Sequence, residues 1–129
     1  MVVALFMLLP LIPACESTVG EACTLIGCSS GIEVQLEETP AIPYRVEADA
    51  GGGDAKYVFE CDSAEECPPI FFAEFTPDWL IINVISGTDT TWYEVRPSYE
   101  KNQPNGPACE PTCFNAVVRL PSDALATGG

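Results

Sequence analysis

The sequence predicts an all-β protein, folded as a single two-sheet antiparallel β-sandwich of about seven short strands. Apolar and polar residues alternate over short runs, which is typical of strands with one buried face. Clusters of Gly, Pro and Asn separate these runs, and no window has the period of a helix. The run 78–85 is apolar on both faces, which indicates a central strand that is covered on both sides.

Each predicted strand ends at a recognisable break in the chain. Residues 39–43 interrupt the alternation after the first strand, and a glycine triplet predicts a turn before the third. Residues 86–89 form a turn that makes the next two strands a hairpin, expected at the centre of the sandwich. Residues 98–111, rich in Asn and Pro, are predicted to be a long loop. The predicted strands are 32–37, 44–48, 56–61, 70–75, 78–85, 91–97 and 113–120.

Composition divides the 129-residue chain into four segments. Residues 1–14 are predicted to be an export signal and residues 15–31 a tether. Residues 32–121 are predicted to form the sandwich, and residues 122–129 a disordered tail. The chain that remains after removal of the signal is long enough to bury one core.

The beginning of the chain sets the expected compartment. Residues 2–12 are almost wholly apolar, the length of a secretory signal and too short for a spanning helix of about 20 residues. The run ends in Ile12-Pro13-Ala14-Cys15, which resembles the lipobox of bacterial lipoproteins. The resemblance implies that Cys15 carries two or three acyl chains and anchors the protein in the cell envelope, facing the periplasm or the exterior. The alternative is an ordinary cleaved signal, with Cys15 a spare thiol.

Charge excludes some partners. The net charge is −14, with five Lys and Arg residues and no histidine. Nucleic acid is therefore not expected as a partner, because phosphate binding needs a basic surface. Anionic lipid should also repel the domain. Attachment to the membrane is therefore expected through the lipid on Cys15 alone.

Cysteine spacing predicts disulfides. Of seven cysteines, six remain if Cys15 is lipidated, and they form three close pairs along the sequence. In an oxidising compartment these are expected to be three disulfides, although fifteen connectivities are possible. A structural metal site is the alternative, but C-x-x-C spacing and histidine are both missing. The favoured pairing is the local one, namely Cys23 with Cys28, Cys61 with Cys67, and Cys109 with Cys113.

Catalysis and metal binding have little support in the sequence. Without histidine, the commonest general base and every Ser-His-Asp or Cys-His arrangement are excluded, so no catalytic residue and no cofactor are expected. Two clusters of carboxylates could supply oxygen ligands to calcium, but neither has EF-hand spacing. A solvated acidic face is the favoured interpretation, with no metal site. The clusters are Glu47, Asp49 and Asp54, and Glu60, Asp62, Glu65 and Glu66.

Aromatic residues are the best candidates for binding. If Tyr93 and Val95 face the core, then Trp92 points outward together with Glu94 and Arg96. An exposed Trp on a sheet face is a plausible anchor for a carbohydrate or peptide, together with Tyr99, and Trp79 lies nearby in sequence. The alternative is that the loop of residues 98–111 covers Trp92.

The residues 44–47 and the hairpin of residues 80–95 resemble the small Ig-like or transthyretin-like sandwiches of bacterial envelope proteins, including the carboxypeptidase-regulatory type. Such domains are generally non-catalytic. The resemblance implies a non-enzymatic, lipid-anchored envelope protein that binds another envelope protein or a glycan. The alternatives are a structural or assembly subunit of an envelope complex, and an enzyme acting on envelope polymers.

Overall fold

The computed structural model describes residues 23–51, 56–63 and 67–129. These residues form nine β-strands in two sheets and no helix, so the predicted all-β, sandwich-like architecture is confirmed. The predicted signal, residues 1–14, and Cys15 lie outside the described residues. The strands are β1 (Gly31–Leu36), β2 (Tyr44–Asp49), β3 (Lys56–Cys61), β4 (Ile70–Ala73), β5 (Leu80–Ser86), β6 (Asp89–Val95), β7 (Glu100–Asn102), β8 (Cys113–Leu120) and β9 (Ala126–Gly128).

The two sheets have four and five strands. Their orders are β4-β1-β8-β7 and β3-β2-β5-β6-β9. Strands β1 and β8 pair in parallel, with Gly31 opposite Asn115, whereas the other pairs are antiparallel. The prediction of a wholly antiparallel sandwich is therefore wrong at β1–β8. Alternation of apolar residues reports which face of a strand is buried, but it does not report the direction of the neighbouring strand.

Two of the nine strands were not predicted. Strand β7 lies in the segment predicted to be a long loop, where Glu100 pairs with Asn115. Strand β9 lies in the tail predicted to be disordered, where Gly128 pairs with Trp92. Each has three residues, too few to show a period of two. The count of about seven strands and the disordered tail are both corrected.

The core lies between the two sheets and takes residues from each. Ile32 of β1 and Val118 of β8 face Val46 of β2 and Ile82 of β5, and all four are buried. Strand β5 is the middle strand of its sheet, as predicted, and its register places Ile82 opposite Tyr93 of β6. Its outer face is half-buried rather than fully covered. The expected central hairpin is therefore present, with one partly open face.

The disulfides correct the predicted pairing. Cys61–Cys67 forms as predicted, but Cys23 pairs with Cys109 and Cys28 pairs with Cys113. These two bonds join residues 86 and 85 positions apart. In the register of β1 with β8, Gly31 lies opposite Asn115, so the separation in sequence is the same to within two residues. The disulfides therefore extend the parallel alignment of β1 with β8 toward the N-terminal side of both strands.

The predicted tether is partly incorporated into the domain. Besides its two disulfides, the segment 23–30 is held by hydrogen bonds to the chain around β8. Asn115 Nδ2 donates to the carbonyl of Ser29 at 2.7 Å, and the Phe114 amide donates to Ser30 Oγ at 3.0 Å. Asn105 bonds Thr24 and both backbone groups of Ile26. Residues 23–30, predicted to be part of the tether, are therefore fastened to the folded domain.

Candidate functional site on the outer face of the five-stranded sheet

Trp92 lies on the outer face of the five-stranded sheet. Tyr93 and Val95 turn toward the core, as predicted, so the intervening positions of β6 turn away from it. The cross-strand register places Asn83 of β5 directly opposite Trp92, and Glu47 of β2 on the other side of Asn83. Aromatic, amide and carboxylate side chains are thus aligned in one row across three strands.

Apolar side chains flank this row. Ile81 and Ile85 of β5 are half-buried, and Val58 of the edge strand β3 is 50 % exposed. Trp92 itself is 38 % exposed. Many recognition surfaces combine apolar side chains with a few polar groups, and an aromatic side chain often serves as the anchor. We refer to Val58, Ile81, Asn83, Ile85 and Trp92 as the Trp92 face.

The C-terminal strand β9 supports one side of Trp92. A Cβ atom added to Gly128 would lie 2.5–2.7 Å from three atoms of the indole ring, so the glycine backbone packs directly against it. The predicted alternative, cover by the loop of residues 98–111, is therefore replaced by cover from the tail. The ring is fixed at one edge, and 38 % of the surface of Trp92 stays accessible.

Trp79 belongs to the same side of the sheet. Its Nε1 donates a hydrogen bond to Glu94 Oε1 at 2.9 Å, and Glu94 is two positions after Trp92 on β6. Gly51 lies against the other end of the ring, since an added Cβ would be 3.5 Å from Cζ3. The hydrogen bond fixes the orientation of Trp79 and occupies the carboxylate of Glu94.

Tyr99 does not join Trp92 in one platform. Its ring packs against the core, and its hydroxyl donates to the carbonyl of Pro77 at 2.5 Å. Burial, and secondarily the negative charge of Asp78, raise the pKa of Tyr99 to about 12. Trp92 faces away from that core. The two predicted binding residues are therefore in different environments, and Tyr99 holds the β6–β7 connection to the segment before β5.

Charged groups border the Trp92 face. Arg45 Nε lies 3.1 Å from Glu47 Oε1, and Glu60 is opposite Arg45 on β3. A partly exposed pair of this kind contributes little to stability, on the order of 1 kcal/mol. It does place both signs of charge at the border of the Trp92 face, next to Asn83 and Ile85. The face therefore offers hydrogen-bond donors and acceptors around its aromatic anchor.

The acidic clusters are only partly described. Asp54, Glu65 and Glu66 lie outside the described residues. Among the residues that are described, no three Cys, Asp or Glu side chains are grouped to hold a metal ion. Over the same part of the chain, no helix has the length and apolar character needed to traverse a bilayer.

No family model matches the chain, and no curated protein or solved structure has significant similarity to it.

Proposed function

We propose that this protein is a non-enzymatic, lipid-anchored protein of the cell envelope, exposed to the periplasm or the exterior. Cys15 is the lipidated residue in this proposal, after removal of residues 1–14. The sandwich is of the Ig-like or transthyretin-like type and binds another envelope protein or a glycan. The observation that carries the binding proposal is the Trp92 face, an accessible aromatic anchor within a half-apolar sheet surface.

The disulfides support an oxidising compartment. Six cysteines form three disulfides, and such bonds persist mainly in exported proteins. The remaining cysteine, Cys15, is the residue at the end of the lipobox-like sequence. A spare cysteine at that position agrees with lipidation.

The start of the folded domain supports close anchoring. The disulfide at Cys23 fastens the chain to Cys109. Residues 16–22 connect this point to Cys15. Seven residues span at most about 25 Å when fully extended. A lipid on Cys15 would therefore keep the sandwich near the membrane surface, where its partners would be components of the envelope.

A photo-crosslinking experiment tests the Trp92 face in living cells. A photoreactive phenylalanine analogue replaces Asn83, which lies opposite Trp92. The control carries it at Gln35, an exposed position of the other sheet. For a protein partner, we expect one discrete adduct from position 83, none from position 35, and loss of the adduct with Trp92→Ala. For a glycan partner, we expect co-sedimentation with purified cell-wall glycan that Trp92→Ala abolishes.

Phe114→Ala is the matched substitution, because Phe114 is an exposed aromatic residue of the other sheet, 45 % accessible. It should change neither the adduct nor co-sedimentation. Absence of both forms of binding, or binding that Trp92→Ala leaves intact, would contradict the proposed role of this face.

Cell fractionation and mass spectrometry test the anchor separately. The mature protein should begin at Cys15 with diacylglycerol attached, and it should fractionate with membranes. Cys15→Ser should release the protein or block its processing, while Cys67→Ser should leave it in the membrane fraction, because Cys67 pairs within the domain. An unmodified, internal Cys15 in the mature protein would refute lipid anchoring.

A further inference from the structure

A cleft of about 630 Å³ opens at the edge of the sandwich opposite the β3 and β4 edges. Two connections between the sheets frame it. Residues 96–99 cross from β6 to β7, and residues 121–125 cross from β8 to β9. Between them lies the part of β8 around Val117. We refer to this space as the β8 cleft.

The backbone of Val117 faces the β8 cleft without a neighbouring strand in the described part of the chain. Strand β7 begins at Glu100, which pairs with Asn115, so the ladder between β7 and β8 does not reach Val117. Two residues beyond Val117, the amide and carbonyl of Arg119 bond Asp123. Amide and carbonyl groups of alternate residues point to the same side of a strand, so those of Val117 point to this side as well. One donor and one acceptor are therefore available to a chain that enters the cleft.

Two guanidinium groups also line the cleft. Arg96 is on the connection after β6, and Arg119 is near the end of β8. Neither has a carboxylate within ion-pair distance among the residues that the structure describes. Two carboxylates line the cleft as well. That of Asp123 accepts the hydrogen bond from the Arg119 amide, and that of Glu100 is at the start of β7.

We propose that the β8 cleft binds the C-terminal end of an extended peptide from a partner protein. The terminal carboxylate pairs with Arg96 and Arg119, while the last peptide units exchange two hydrogen bonds with Val117, as in the addition of a strand to a sheet edge. The exposed side chain of Val117 supplies an apolar contact. The site is distinct from the Trp92 face.

The dimensions favour a chain terminus over a strand that passes through. The free edge runs from Asn115 to Arg119, which is about 13 Å at the rise of a strand. Both ends of this edge are already paired, so a longer strand would meet β7 or the turn at Asp123. A peptide that ends in the cleft has to enter from one side only, whereas a strand that passes through has to leave by the other side as well. Its carboxylate also supplies an ion-pair partner for the two guanidinium groups, which have none within ion-pair distance among the described residues.

Titration by NMR tests this site on the purified, oxidised protein. The probes are acetyl-Ala-Val-Ala with a free carboxylate and the same peptide as its C-terminal amide. We expect the free acid to shift the amide resonance of Val117 and to bind roughly tenfold more tightly than the amide, since the charged contacts are lost in the amide. The Trp92 face should show no shift.

Charge-removing variants assign the effect to the cleft. In the double variant Arg96→Gln with Arg119→Gln, the two peptides should bind equally weakly. Arg96→Lys with Arg119→Lys retains the charge and should keep a preference for the free acid, which separates recognition from folding. Arg45→Gln, on the other sheet, should behave as the wild type. Equal binding of both peptides to the wild type, or a preference that survives the double Gln variant, would overturn the proposal.

Discussion

At the scale of single residues, burial decides which side chains carry the fold. Ile82 has no exposed surface and lies in the middle of the central strand. Ile82→Ala should lower the free energy of unfolding by roughly 2–5 kcal/mol, because it leaves a cavity between the sheets. Thr90→Ser, on the exposed part of β6, should cost less than about 0.5 kcal/mol. Denaturant titration measures both, and equal small losses would show that β5 is not the core strand.

Tyr99 couples stability to alkaline pH. Its pKa, about 12, is above the value of a tyrosine in an unfolded chain, about 10. Between these values the unfolded chain binds fewer protons than the folded one, so stability should fall as pH rises. Tyr99→Phe also removes the hydrogen bond to Pro77, which should cost about 1 kcal/mol at neutral pH.

Denaturant titrations near pH 9 and pH 11 compare the two proteins, with the tyrosinate absorbance as a second readout. The wild type should lose more stability than Tyr99→Phe over this interval, since the variant lacks the titrating hydroxyl. An equal loss in both proteins would mean that Tyr99 does not produce the pH dependence.

At the scale of secondary-structure elements, β9 holds the Trp92 face in place. An alanine at position 128 would push its Cβ into the indole ring, because the nearest ring atom would be 2.5 Å away. Gly128→Ala should therefore displace β9 from β6 and expose Trp92, seen as a red shift and faster quenching of tryptophan fluorescence. Gly27→Ala is the control, because an added Cβ there meets nothing within 4 Å. An unchanged spectrum for Gly128→Ala would show that β9 does not cover the ring.

The same elements show what the sequence can and cannot predict. The alternation of apolar and polar residues was sufficient to predict the long strands. It also assigned Tyr93 and Trp92 to opposite faces of the sheet. It could not find β9, whose three residues include one glycine and no large apolar side chain. It also could not predict that Glu94 accepts a hydrogen bond from Trp79, because Trp79 lies just before β5, the strand that pairs with β6. Contacts of this kind depend on the register between strands, which a single-strand pattern does not contain.

Disulfide connectivity was unpredictable for a related reason. The cysteines of the pair at 23 and 28 are spaced like those at 109 and 113, with a difference of one residue. This similar spacing is compatible with two local disulfides, one within each pair. It is equally compatible with two disulfides that join one pair to the other across parallel segments. Only the parallel alignment of β1 with β8 distinguishes them. Cys61 and Cys67 had no such competing partner near them, so the local prediction was correct there.

At the scale of the whole molecule, two of the disulfides connect residues 23–28 to the start of β8 and to the loop before it. Cys28–Cys113 joins residues 85 positions apart, whereas Cys61–Cys67 joins residues six apart. On the chain-entropy model, closing the long loop stabilises the fold by about 4.5 kcal/mol and closing the short one by about 2 kcal/mol. The two long-range bonds therefore constrain the unfolded chain most, and they do so where the proposed anchor would pull on the domain.

Replacing both cysteines of one pair by serine tests this difference while leaving no free thiol in the domain. The fourfold variant, in which serine replaces Cys23, Cys28, Cys109 and Cys113, should lower the free energy of unfolding about twice as much as Cys61→Ser with Cys67→Ser, in denaturant titrations of the oxidised proteins. Cys28→Ser with Cys113→Ser alone should cost much less than the fourfold variant, because the remaining bond, Cys23–Cys109, closes almost the same loop. The largest loss should appear only in that fourfold variant, because either long-range bond alone still joins the segment before β1 to the chain at or just before the start of β8. Equal losses for the fourfold variant and for the Cys61–Cys67 variant would show that these bonds do not fasten the N-terminal segment to the fold.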